Sequence, residues 1–175
     1  MRHVIAFAVV VLMVALVPAR AEDANKGKLS SKDMKFVNNA ATGGEMEVAL
    51  GKLAATKATN DDVKKFGQTM VDDHTKANDE LKSLAKGKGV DLTKAEDKAT
   101  KMESKEEGKL AKKEGEAFDK AYMDMMVKDH EEDVKDFEKA SKDADDADLK
   151  AWAAKILPTL QSHLQTAKDI KAKLK

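Results

Sequence analysis

Apolar residues along this chain recur in alternating steps of three and four over four long stretches, the spacing that turns one face of an α-helix toward a core. From Val37 the first stretch carries Ala40, Gly44, Glu47, Gly51, Ala54 and Ala58, which predicts a helix over 33–58. Ser30 with Asp33 three positions on forms a capping box at its start. Thr59, Asn60 and Asp61 supply a turn and the next N-cap. Val63, Gly67, Met70, His74, Ala77, Leu81 and Leu84 then define a second helix over 61–86, ended by Gly87 and Gly89. A third, over 116–142, presents Phe118, Met123, Met126, Val127, His130, Val134 and Phe137. The fourth, over 147–174, has the cleanest seam: Leu149, Ala153, Ile156, Leu160, His163, Ala167, Ile170 and Leu174. Pro158 inside it lacks the N–H that would bond residue 154, so a kink is expected there.

Between residues 90 and 115 the periodicity weakens. Thr93 and Glu96 form a second capping box, but apart from Leu92, Met102 and Leu110 the segment is dominated by charge, which predicts a crossover carrying a mostly exposed helix. Two short links and one long crossover make bundle helices two and three parallel. The expected fold is therefore all-α: a ferritin-like four-helix bundle with an extra helix in the long crossover between helices two and three. Gly43, Gly44 and Gly51, with Ala40, Ala41, Ala54 and Ala55, leave helix one a smooth face that a neighbour can approach closely.

The N-terminus departs from this pattern. Met1-Arg2-His3 leads into an apolar run from Val4 to Val17 that closes on Pro18-Ala19-Arg20-Ala21, the order of a signal peptide with an A-x-A cleavage site. Fourteen apolar residues fall short of the roughly 20 that span a membrane. With residues 1–21 read as a cleavable signal, 22–32 is a polar, disordered lead-in and 33–175 the bundle. The expected location is the periplasm or the exterior. No cysteine follows the apolar run to take a lipid, so no membrane insertion is expected after cleavage. Cleavage removes Arg2 and Arg20 and no acid; from 32 basic and 32 acidic residues this leaves a net charge near −2. Interleaved charges of both signs give no electrostatic footprint for nucleic acid.

Candidate chemistry lies where the seams are interrupted. Glu47, His74, His130 and His163 each replace an apolar residue on a different bundle helix, 13 to 16 positions from its expected start. Antiparallel packing brings such mid-helix residues into one layer. A buried carboxylate needs partners, and three imidazoles supply them, as hydrogen-bond donors or as fellow ligands of a divalent ion. Three His and one Glu make a four-coordinate site suited to Zn, Cu or Fe. The competing reading is a metal-free Glu–His cluster that stabilises and specifies the core. Met70-Val71-Asp72-Asp73-His74 and Met126-Val127-Lys128-Asp129-His130 share M-V-x-D-H. Asp73 and Asp129 are placed to orient a neighbouring helix's imidazole. Met70 and Met126 sit one turn before each His, as core fillers or thioether donors. Tyr122 reads as a packed phenol with one hydrogen bond.

Phe36-Val37, Ala40-Ala41, Gly43 to Leu50, Met70 to His74, Asn78, Phe118 to Met123, Asp129-His130, Leu157 to Leu160 and His163-Leu164 together resemble the bacterial domain-of-unknown-function family 4142. The resemblance implies an exported four-helix bundle of the ferritin-like superfamily and supplies no activity. The superfamily's di-iron pattern needs Glu-x-x-His on two helices. Val71 and Val127 stand where those Glu residues belong, which argues against a carboxylate-bridged di-iron oxidase. What remains is an exported bundle that binds a transition-metal ion at Glu47, His74, His130 and His163 in metal buffering or an envelope stress role. The alternative is a metal-free structural or stress-related envelope protein.

Overall fold

The computed structural model describes residues 28–174. The expected signal peptide and the lead-in through residue 27 lie outside them. Five helices follow in order: α1 Ser31–Lys57, α2 Asp61–Gly87, α3 Thr93–Leu110, α4 Gly115–Asp143 and α5 Ala147–Lys173. They form an all-α ferritin-like bundle in which the pairs α1–α2 and α4–α5 are joined by the crossover helix α3. None of these helices is long and apolar enough to cross a membrane.

Two apolar clusters fix the direction of each helix. Ala58, Val63, Phe118 and Ile170 belong to one; Val37, Ala85, Ala140 and Leu149 belong to the other. α2 and α4 therefore run from the first cluster to the second, and α1 and α5 run back. α3 carries Leu92 and Ala95 in the second cluster and Leu110 in the first, so it returns the chain to the end where α4 begins. It packs on the outer side of α1, where Thr42 Oγ1 donates to the Ala95 carbonyl at 3.3 Å. That cover accounts for the burial of Val48, which lies off the expected seam beside Glu103 and Glu107 of α3, while Met46 and Leu50 join the interior cluster of Phe66 and Phe118.

The caps follow local chemistry with two departures. Ser30 Oγ accepts from the Asp33 N–H at 3.2 Å, but the Asp33 carboxylate does not reach back to close a box. It is buried, and accepts from the backbone N–H groups of Asp145 and Asp146 in the α4–α5 link. Thr93 is the first residue of α3 and not its cap. Asp91 Oδ1 accepts from its N–H and its hydroxyl, because an Asx turn that starts two residues ahead offers a stronger acceptor than the hydroxyl itself. At the end of α2, Gly89 takes φ +67°; its N–H reaches the Lys86 carbonyl and that of Val90 the Ala85 carbonyl, a Schellman closure. α5 runs as one helix through Pro158.

The two helix pairs repeat each other at a constant offset of 86 residues (33 to 119, 60 to 146). Asp33 has its counterpart in Asp119, also buried, which accepts from Thr59 N–H, Thr59 Oγ1 and Asn60 N–H in the α1–α2 link. Ala58 matches Ala144, Asn60 matches Asp146 as N-cap, and Val63 matches Leu149. Each pair thus clamps the other's turn through one buried carboxylate. α1 and α2 approach most closely at Gly51 and Gly67: a Cβ on Gly51 would lie 2.7 Å from the Gly67 carbonyl oxygen.

Candidate metal centre

Between the two apolar clusters lies a polar layer. Glu47 enters it from α1, His74 from α2, His130 from α4 and His163 from α5, each at the seam position where its helix would otherwise bury an apolar side chain. His130 is 0% exposed, Glu47 1%, and His74 and His163 5% each. The three rings stand 5.4 to 5.6 Å apart, centroid to centroid. Phe66 roofs the layer on one side, with its ring 6.4 Å from those of His130 and His163.

One nitrogen from each histidine lies within 4.8 Å of one from each of the others. A triangle of that side has a point about 2.8 Å from every corner, so bonds of about 2.0–2.1 Å need inward shifts under about 1 Å. One nitrogen of each ring is held. His74 Nδ1 is 2.9 Å from Glu47 Oε2. His130 Nδ1 donates to the Met126 carbonyl at 3.0 Å and lies 3.4 Å from Glu47 Oε1. His163 Nε2 pairs with Asp73 Oδ2 at 3.1 Å. Among the described residues, His74 Nε2, His130 Nε2 and His163 Nδ1 are left buried without a hydrogen-bond partner. A carbonyl can only accept, so His130 carries its proton on Nδ1 and a lone pair on Nε2.

Burial pushes the histidines toward the neutral form: His74 is lowered to about 4 and His130 to about 3, the latter also by the neighbouring rings of His74 and His163. His163 is lowered by burial and by His74, with Asp73 opposing. Burial lifts the Glu47 carboxyl to about 8, with Asp129 adding to the rise. Asp133 is raised well above the carboxylate range by burial and by Glu47, whose carboxyl it meets. Burial thus favours the neutral form of the histidines and of both acids.

All four residues expected at the site occupy this layer, and the carboxylate of Glu47 meets the rings at the nitrogens already held. Asp73 reaches across to the imidazole of α5. Asp129 is half-buried, with Oδ2 unpaired, and is raised to about 6 by burial first and Glu132 next. The side chains of Met70 and Met126 pack in the apolar cluster beside Phe66, and Met126 contributes its carbonyl. Tyr122 is buried as expected, but its hydroxyl has no partner among the described residues. Asp133 was not foreseen. It stands three residues after His130, a spacing that places both on one helical face, and among so many surface acids that spacing alone did not single it out. Phe66 was missed because it lies one residue before a seam glycine.

The fold and site define a ferritin-like bundle with a buried three-histidine cluster capable of coordinating a transition-metal ion. Residues 18–170 match the family described as Domain of unknown function (DUF4142), and the chain belongs to it. No curated protein and no solved structure matches the chain.

Proposed function

We propose that this chain is exported to the periplasm or beyond and there binds one transition-metal ion, Zn, Cu or Fe, through His74 Nε2, His130 Nε2 and His163 Nδ1, in metal buffering or an envelope stress role. The observation that carries the binding is the set of three buried, unpartnered nitrogens on rings whose other nitrogens are held. Buried polar atoms in folded proteins are nearly always satisfied, and one cation held by these nitrogens would satisfy all three at once. Held outer nitrogens fix ring orientation and tautomer in metal sites, and Glu47, the Met126 carbonyl and Asp73 supply that hold here. In this reading Glu47 works from behind His74 and leaves the fourth position to water or a small ligand. The export step rests on residues 1–21 of the sequence.

The metal-free alternative draws on the same buried layer, yet it leaves the three nitrogens without partners among the described residues. Elemental analysis of untagged protein, purified from the periplasm of an expressing bacterium, separates the two. About one Zn, Cu or Fe per chain is expected, with near-complete loss in His74→Ala. Wild-type protein that retains none of the three after supplementation overturns the proposal, and failure to reach the periplasm overturns the location.

A further inference from the structure

We infer that the ion reaches its centre through the seam between α2 and α5, with Asp73 as the last carboxylate on the path; this rests on the metal-binding reading above. Three observations meet at that seam. A groove of about 680 Å³ runs along it, lined by Thr69, Asp73, Thr159, Ser162 and His163, so a histidine of the cluster forms part of its wall. A second hollow of about 150 Å³ on the same seam is lined by Asp73, His74 and His163. α2 and α5 also touch less closely than either helix touches its hairpin partner.

The groove carries three carboxylates, Asp62, Asp73 and Asp169, against two ammonium groups, Lys65 and Lys173, so its net charge is negative and suits a hydrated cation. Its hydroxyls, on Thr69, Thr159, Ser162 and Thr166, offer neutral oxygens that replace water ligands in turn. The Asp73 side chain is 36% exposed while its Oδ2 touches His163 Nε2, so one carboxylate faces solvent and the centre together. Pro158 stands in the α5 wall. Its missing N–H leaves the Ala154 carbonyl without the usual helical donor, which lets this part of α5 move at lower cost than an unbroken helix. The α1–α2 seam is shut by backbone contact at Gly51 and Gly67. On the far side, a shallow hollow between α1 and α3, lined by Glu45, Lys52, Thr56 and Glu103, contains no residue of the cluster.

Stopped-flow mixing of metal-free protein with Co²⁺, read by the visible absorption of the nitrogen-ligated ion, tests the route. Ser162→Trp fills the groove from an exposed position and is expected to slow loading about tenfold, with the final absorbance and the stoichiometry unchanged. Thr56→Trp, on the α1–α3 face, is expected to load at the wild-type rate. Asp73→Asn is expected to slow loading and to flatten its dependence on ionic strength. Loading of Ser162→Trp at the wild-type rate, or equal slowing by Thr56→Trp, would refute the route while leaving the site intact. Wild-type protein that takes up no Co²⁺ at equilibrium would remove the site and the route together.

Discussion

Replacing His130 by Ala separates the metal's contribution to stability from that of the side chain itself. The ring is fully buried, donates to the Met126 carbonyl and packs against Phe66, His74 and His163. Its loss leaves a void and deprives Glu47 of a neighbour, for a cost of about 2–4 kcal/mol in metal-free protein. A bundle of this length loses roughly 2–4 °C of Tm per kcal/mol, so the metal-free variant should melt roughly 5–15 °C below wild type. That drop is common to the metal-binding and metal-free readings and decides nothing. The second melt decides. Free Zn²⁺ at one hundred times Kd adds about 2.7 kcal/mol to the folded state, which raises the wild-type Tm by roughly 5–10 °C. With one of three nitrogens gone, His130→Ala should gain no more than about 2 °C over its own metal-free form. The assay is circular dichroism at 222 nm on chelator-treated, untagged protein, with and without Zn²⁺. An equal rise in wild type and variant would place the ion elsewhere, and no rise in either would leave the histidine layer a purely structural feature.

Metal affinity should climb with pH through neutrality and level off above about pH 8, because Glu47, held at about 8, releases its proton to the field of the ion. His74 and His130, at about 4 and 3, compete for protons only in more acid solution, so Glu47→Gln should flatten the slope between pH 6 and 8; a slope unchanged in that variant, by competition titration, would assign the proton elsewhere. Gly51→Ala drives a methyl against the Gly67 carbonyl oxygen and should destabilise the bundle by about 1–3 kcal/mol in urea melts, whereas Gly87→Ala, which meets nothing within 4 Å, should change little or stabilise slightly. Asp119→Ala removes the acceptor of two backbone N–H groups and one hydroxyl in the α1–α2 link and should cost about 1–3 kcal/mol; a neutral result would mean that water replaces the carboxylate without loss.

The four bundle helices and their connectivity were legible because their seams repeat over many turns. Each histidine was visible for the same reason, as a break in an otherwise apolar row. Burial off the seam was not legible. Val48 of α1 is covered by α3, and the charged sequence of α3 does not say which helix it will lie against. The capping boxes misled in a related way. Ser-x-x-Asp and Thr-x-x-Glu describe what local groups can do, while Asp33 found better donors 112 and 113 residues away. Convergence of the three histidines followed from counting along helices. Which nitrogen of each ring faces inward did not, since that depends on Asp73, Glu47 and the Met126 carbonyl as tertiary neighbours.

The repeat between the two helix pairs bears on how many ions the centre holds. Glu47 and Asp133 are equivalent at the 86-residue offset, and their carboxyls meet. The histidines obey no such symmetry. The position matching His74 is Leu160, that matching His130 is Gly44, and that matching His163 is Ala77. Gly44 cannot be exchanged for a ligand without displacement, because even a Cβ there would collide with the side-chain amide of Asn78. A bridged pair of ions needs donors duplicated in both halves, and of the groups in the layer this chain duplicates only the acids. The three imidazoles instead come from three positions that the repeat does not relate. Glu47 Oε2 lies 2.9 Å from His74 Nδ1 and Glu47 Oε1 3.4 Å from His130 Nδ1. A repeated scaffold thus carries a donor set that is not repeated, which is the arrangement that the single ion proposed above would require.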